Sequence, residues 1–132
     1  MRIARVAVLV AALVVCAWFV LGIRQAHDLA QATTIVQQKQ ALTASQSAHA
    51  ASLLRSAGAL NPDRQVDLVR AELDIRGSDS AAAKRILESV LRAEPDNLLG
   101  WDLLATISGS DTRTLLLAYK HIAELHHAPR GH

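Results

Sequence analysis

The chain has 132 residues, a formal net charge of +2 and one cysteine. Because the net charge is small and the Lys and Arg residues are scattered, the composition excludes the basic surface that nucleic-acid-binding proteins present. A single cysteine likewise excludes an intramolecular disulfide bond and a cysteine-rich metal site.

The N-terminal segment, residues 3–23, predicts a membrane-spanning helix. Residues 6–23 contain no charged and no strongly polar side chain. A hydrocarbon core roughly 30 Å thick requires about 20 apolar residues, and Arg5 can extend its side chain towards the headgroups. We therefore predict an uncleaved anchor over residues 1–24, with the rest of the chain held beside a membrane.

Two alternatives to an anchor stay open for this segment. A cleaved secretory signal also begins with basic residues, but its apolar stretch usually has about 7–15 residues and ends in a small-x-small site. Such a site is missing here, since Val20-Leu21-Gly22 fits that pattern badly. Lipidation of Cys16 is the second alternative. Bacterial lipoprotein signals typically have Gly, Ala or Ser before the lipidated cysteine, whereas Val15 stands at that position here.

The charges that flank the span predict its orientation. Arg2, Arg5 and the α-amino group precede it, whereas Arg24 follows it and the next Lys or Arg is Lys39. Positive charge is retained on the cytoplasmic side of a membrane helix. We therefore expect a single-pass membrane protein with a cytoplasmic N-terminus and an extracytoplasmic C-terminal domain.

The rest of the chain predicts helices and turns, because no segment alternates between apolar and polar side chains with a period of two. Residues 25–47 are a helical stalk or a degenerate first repeat helix, with a break expected near residues 43–47. Asp79 or Ser80, and also Asp111, are expected to cap helices at their N-termini. The predicted domain, residues 48–127, contains helices over residues 48–60, 63–76, 81–93, 98–107 and 112–127, and residues 128–132 are a flexible tail.

A spacing of about one helix pair recurs in this domain. Pro62 and Pro95 are 33 residues apart, and Pro129 lies 34 residues beyond Pro95. At the same three offsets before the first two prolines stand small or apolar residues, which are Ala50, Leu54 and Ala57 in one case and Ala83, Leu87 and Val90 in the other. Six residues after Pro95 stands Trp101, which is followed by Leu104 and Ala105.

This pattern resembles the tetratricopeptide repeat, a pair of antiparallel helices of about 34 residues. Its signature is W-x2-L-G-x2-Y followed by A-x3-F-x2-A-x4-P. The chain departs from the signature in its first and last units, where Thr34 and Gln37, and then His121 and Glu124, replace apolar or small residues. The resemblance covers roughly residues 31–131 and implies an all-α protein, in which the transmembrane helix precedes a short right-handed array of antiparallel helix pairs, with Trp101 buried.

The resemblance also implies a function, which is the binding of a protein or peptide on the concave surface formed by the first helix of each pair. Matching residue by residue places seven side chains on that surface: Val66, Val69, Leu73, Arg76, Leu99, Asp102 and Thr106. Plain packing between helices is the alternative for the apolar members of this set.

No catalytic residue, cofactor or metal site is predicted. The strongest candidates for a metal site are His121, His126, His127 and His132 with Glu124, but His121 and His126 are five residues apart and do not share a helical face well. We expect a membrane-anchored module that binds a protein partner without catalysis. The alternatives are an obligate accessory subunit of a membrane or cell-envelope complex, and a metal-binding module built on the histidines.

Overall fold

The structure is a computed structural model that describes residues 2–58, 64–109 and 111–127. Within these ranges it contains six helices and no strand, so the prediction of an all-helical protein is confirmed. The helices are α1 Arg2–Val36, α2 Ala44–Gly58, α3 Arg64–Arg76, α4 Ser80–Ala93, α5 Leu98–Ile107 and α6 Thr112–His127. The predicted turn around Pro62 and the tail at residues 128–132 lie outside the described residues.

The N-terminal helix α1 is long and apolar enough to cross a membrane. At 1.5 Å per residue its 35 residues extend over about 52 Å. The described side chains from Leu9 to Arg24 are all exposed, including Leu13 at 69% and Trp18 at 73%. Exposing so large an apolar surface to water is energetically unfavourable, and a lipid environment would cover it.

Helix α1 does not end where its apolar run ends but continues into the domain. Its last turns bury Ala32 and Val36 completely, so residues 25–36 form a core helix rather than a separate stalk. The break falls at residues 37–43, slightly earlier than predicted. The break ends at Thr43 and Gln46, which form reciprocal hydrogen bonds. The Thr43 backbone N–H donates to Gln46 Oε1 at 2.9 Å, and the Gln46 backbone N–H donates to Thr43 Oγ1 at 3.3 Å. This capping box is visible in the sequence.

The helices follow one another in space as they do in the chain. Each contacts the next, and α3 also contacts α1 and α5. Helix α3 therefore contributes to both apolar clusters of the domain. One cluster joins α1, α2 and α3 through Ala32, Val36, Ala50, Leu54, Ala57, Val66, Val69 and Leu73. The other joins α3 to α6 through Leu68, Ala71, Ala83, Leu87, Val90, Leu91, Trp101, Leu104, Ala105 and Ala118.

Arg76 connects the end of α3 to the end of α1. Its Nη1 donates to the carbonyl oxygen of Val36 at 2.8 Å, and its Nη2 donates to the carbonyl oxygen of Gln40. The last carbonyl groups of a helix lack intrahelical partners and carry partial negative charge. The last turn of α1 has no basic residue of its own. Arg76 therefore supplies from another helix the cation that the end of α1 lacks.

The turn between α3 and α4 is built by hydrogen bonds rather than by its glycine. The Ser78 N–H donates to the Ile75 carbonyl at 3.0 Å and the Asp79 N–H to the Asp74 carbonyl at 2.9 Å, which is a Schellman arrangement. Ser78, not Gly77, has the left-handed backbone conformation, with φ 64°. Asp79 then caps α4 by accepting the Ala82 N–H at 3.0 Å, so its predicted role is confirmed.

Trp101 fixes the first turn of α5 against its neighbours, and its predicted burial is confirmed. The side chain is only 7% exposed. Its indole Nε1 donates to the carbonyl oxygen of Pro95 at 2.7 Å, which ties α5 to the turn that precedes it. The ring stacks on His121 of α6, with centroids 4.3 Å apart.

Trp101→Ala is expected to lower the free energy of unfolding by about 3–5 kcal/mol, because it leaves a cavity between α5 and α6. In a domain this small such a loss approaches the total stability. Urea unfolding of the full-length protein in detergent micelles, followed by circular dichroism, measures the change. Tyr119→Ala is the matched control, since Tyr119 is 58% exposed, and it should cost less than about 1 kcal/mol. Equal midpoints for the two variants would contradict the packing described here.

Arg76→Ala is expected to destabilise the domain by about 1–3 kcal/mol, because two carbonyl groups at the end of α1 lose a charged donor. The same urea titration measures the effect. Arg113→Ala, on the exposed side of α6, is the control and should stay within about 0.5 kcal/mol of wild type. A cost for Arg76→Ala no larger than for Arg113→Ala would show that the contact with α1 does not stabilise the fold.

Candidate protein-binding surface

The α3 members of the predicted binding set lie inside the domain. Val66, Val69 and Leu73 are 3%, 6% and 6% exposed, and they pack in the cluster formed with α1 and α2. Residues i, i+3 and i+7 of a helix share one face, and this face of α3 is covered by the chain itself. Plain packing, the alternative that the sequence left open, describes where these three side chains lie.

Arg76, the fourth α3 member, is half-buried and engaged with the carbonyl groups of Val36 and Gln40. A position on the concave surface was expected for it. Its guanidinium group instead faces the end of α1, because that helix end attracts a cation. Replacing Arg76 would therefore perturb the fold, and this residue is unsuited to a test of binding.

The α5 members of the set are exposed, and we call them the α5 outer face: Leu99, Asp102 and Thr106. Leu99 is 53% exposed, and the other two are exposed as well. The Thr106 hydroxyl donates to the Asp102 carbonyl oxygen of its own helix at 3.0 Å. The Asp102 carboxylate has no hydrogen bond or ion pair within the described part of the chain. The outer face thus offers one apolar side chain and one available anion.

Local sequence sets the direction of the α5 outer face. Asn97 caps α5 by accepting the Gly100 N–H on its side-chain oxygen at 2.9 Å. In that first turn Gly100 lies against α4, and a Cβ atom there would come within 3.0 Å of Leu91 Cδ2. The absence of a side chain at Gly100 lets α5 approach α4 closely. The opposite side of the helix, which carries Leu99 and Asp102, consequently points away from the core.

A second surface, which we call the α4–α6 cleft, was not predicted. It has a volume of 340 Å³ and is lined by Glu88, Leu91, Arg92, Trp101, Leu104, Thr114 and Leu117. Its floor is apolar, and Glu88 and Arg92 place opposite charges at its edge. A cleft of this size and composition fits the apolar side chains of a partner.

One signal in the sequence pointed to the cleft. Three leucines follow one another at positions 115–117, and three consecutive positions cannot all lie on one helical face. Leu115 is half-buried, whereas Leu116 is 65% and Leu117 is 48% exposed. Further along α6, the fully buried contact with the core is made by Ala118, whereas Tyr119 is 58% exposed.

Helix α6 is positioned at its start by Asp111, whose predicted capping role is confirmed. The Thr114 hydroxyl and backbone N–H donate to the Asp111 carboxylate at 2.6 and 3.2 Å, and Lys84 of α4 adds an ion pair at 3.2 Å. The two bonds from Thr114, followed by the Lys84 ammonium group, lower the pKa of Asp111 to about 2. This carboxylate therefore links α6 to α4 on one side of the cleft.

The histidines of α6 do not gather into a metal site. His121 stacks on Trp101 and pairs with Glu124 through an Nδ1–Oε2 contact of 3.5 Å. His127 Nδ1 lies 2.7 Å from the Ala123 carbonyl oxygen. Within the described ranges no group of three potential metal ligands is found, and His132 lies outside them.

Asp111 is expected to contribute stability that is lost in acid. Its folded-state pKa of about 2 lies below the ordinary value of 3.8, so the contribution is complete above pH 3.8 and disappears as the pH falls through 2. The stability difference between wild type and Asp111→Asn should therefore shrink between pH 6 and pH 2. Urea midpoints across that range measure it, with Asp102→Asn as the control. A difference that is constant with pH would contradict the assignment.

Comparison with protein-family models, with curated proteins and with solved structures found no match to this chain. Similarity to other proteins therefore assigns it to no family, and the argument for its function depends on its own residues.

Proposed function

We propose that the protein is a single-pass membrane protein whose C-terminal domain is a tetratricopeptide-like array that binds another protein without catalysis. The helix order supports this proposal. Pairs α1–α2, α3–α4 and α5–α6 follow one another, and the first helices of successive pairs also contact each other, as α1 does with α3 and α3 with α5. Stacking of this kind is the organisation of helical repeat proteins.

One observation carries the binding function. Among the described residues beyond the apolar part of α1, all exposed large hydrophobic side chains belong to α5 or α6, and they are Leu98, Leu99, Leu116, Leu117 and Tyr119. Exposed apolar groups concentrated on one part of a domain mark an interaction site, whereas single ones scattered over a surface do not. Of these five side chains, Leu99 belongs to the α5 outer face and Leu117 lines the α4–α6 cleft.

The proposed orientation places this region on the extracytoplasmic side. It is supported by the charges at the start of the chain, where Arg2 and Arg5 exceed the single Arg24 that follows the apolar run. A partner would then be a periplasmic, cell-wall or lumenal protein, or the outer part of another membrane protein.

A permanent accessory subunit of a membrane or cell-envelope complex is the second candidate. The same five exposed side chains favour it, because obligate interfaces are more apolar than transient ones. The two candidates differ in stoichiometry and reversibility. A permanent subunit stays bound in a fixed ratio through detergent extraction and salt washing, whereas a reversible adaptor is recovered in smaller and salt-dependent amounts.

Partner recovery from native membranes tests the proposal. Leu99→Arg and Asp102→Arg alter the α5 outer face, Leu117→Arg alters the α4–α6 cleft, and Ser52→Arg, on the exposed side of α2, is the control. A charge placed in a desolvated contact costs several kcal/mol, so at least about a tenfold loss of partner is expected. Cross-linking in the membrane, affinity purification and quantitative mass spectrometry measure the loss.

The pattern across the variants distinguishes the surfaces. Loss with both α5 variants places the partner on the α5 outer face, and loss with Leu117→Arg alone places it in the cleft. Circular dichroism confirms that each variant is folded. If all four variants recover the same proteins in the same amounts, the binding surface does not lie on α5 or α6 and the proposal fails.

A further inference from the structure

The described contacts fix how α2 runs relative to the membrane helix. Gln46 Nε2 donates to Gln38 Oε1 at 3.5 Å, and Ser56 Oγ donates to Asp28 Oδ2 at 2.7 Å. Ten residues along α2 thus correspond to ten residues backwards from the turn just after α1 into α1 itself, so the two helices are antiparallel. Since Ser56 lies beside Asp28, Gly58 at the end of α2 lies beside residue 26 of α1, which is two residues closer to the apolar run.

Helix α3 returns in the opposite direction. Its end is level with the end of α1, since Arg76 donates to the Val36 carbonyl. Near its start, Gln65 shares one groove with Gly22 and Gln25 of α1. Gln65 thus lies beside Gln25, and Arg76 lies beside Val36. Both pairs of positions are eleven residues apart along their own helices, so α3 runs parallel to α1. The end of α2 and the start of α3 therefore both lie beside the part of α1 that leaves the apolar run.

Distances along the helix place this end of the domain at the bilayer surface. At 1.5 Å per residue, Asp28 is about 8 Å and Gly58 about 5 Å beyond Ile23, where the apolar run ends. The polar headgroup layer on each side of the hydrocarbon core is roughly 5–8 Å thick. Gly77 directly follows the other end of α3, which is level with Val36, and by the same measure it lies about 20 Å beyond Ile23.

The charges at this end suit lipid phosphate groups. Arg24 and Arg55 are exposed and have no hydrogen bond or ion pair within the described ranges. Arg64 is also at this end and pairs with Asp67 at 3.3 Å. The side chains of Arg24 and Arg55 are long enough to bridge several ångströms, so that their guanidinium groups can reach the headgroup layer from these positions.

We propose that the domain rests on the membrane through the ends of α2 and α3, with Arg24 and Arg55 bound to the phosphate groups of phospholipids. This inference depends on the proposed membrane anchor. It adds a second partner, the lipid surface, at the end of the domain opposite to the turn between α3 and α4. The domain is thereby held upright on the bilayer rather than free to move on a tether.

The depth of two glycines tests the placement. Gly58→Cys and Gly77→Cys are made in a Cys16→Ala background, and both sites accept a Cβ atom at ordinary contact distances of 3.4 and 3.5 Å. Each full-length protein is labelled with a fluorophore and placed in vesicles whose lipids carry a headgroup nitroxide. Strong quenching at position 58 and little at position 77 is expected, and equal quenching would overturn the proposal.

The role of Arg55 is tested by its effect on the melting temperature in two environments. Arg55→Gln should lower the melting temperature by about 4–8 °C in nanodiscs that contain anionic phospholipid, and by much less in maltoside micelles, which have no phosphate. Arg113→Gln, the control, should behave alike in both. An equal shift for Arg55→Gln in both environments would exclude lipid phosphate as its partner.

Alkaline extraction separates failure of this inference from failure of the anchor. If carbonate at high pH releases the wild-type protein from membranes, the anchor is wrong and the lipid contact fails with it. If the protein is retained but position 58 is not quenched, only the lipid contact fails.

Discussion

The burial of Ala32 and Val36 is the contact on which the arrangement depends, because it makes the last part of α1 a member of the domain core. The same continuous helix therefore has an exposed apolar half and a half packed against α2 and α3. The domain cannot separate from α1 without exposing its own interior. A fragment that begins after the apolar run retains this core, whereas one that begins at α2 loses one of the helices that form the first cluster.

Helix α3 carries the second constraint, since it packs on both sides. Its Val66, Val69 and Leu73 face α1 and α2, while Leu68 and Ala71 face the following helices. Little of this helix remains to bind a partner, and even Arg76 is engaged with the end of α1. Helices α5 and α6 are packed less completely, so exposed apolar groups concentrate there. In the proposed function, α3 therefore serves only stability, whereas α5 and α6 combine buried contacts such as that of Trp101 with the exposed side chains that would meet a partner.

The sequence was sufficient for the helices and for the turns before α4 and α6, because caps such as Asp79 and Asp111 act locally and the burial of Trp101 follows from fixed helical spacing. It placed the first break a few residues too late, although the capping box of Thr43 and Gln46 marks the start of α2. For the candidate surface it named Leu99, Asp102 and Thr106, which are exposed, but could not separate them from the buried α3 residues. Burial depends on which neighbour covers a face, and the α4–α6 cleft exists only where three helices meet.

Within the described part of α1, no flexible linker separates the apolar half from the half that packs in the domain, and this continuity has a geometrical consequence. A helix turns by about 100° per residue, so the direction in which α5 points is fixed relative to every side chain of the apolar half of α1. If α1 is the proposed membrane anchor, a membrane neighbour that packs on one side of it would always meet the same side of the domain. Such a neighbour needs to search only positions and rotations in the membrane plane, which lowers the entropic cost of association compared with a domain on a flexible linker.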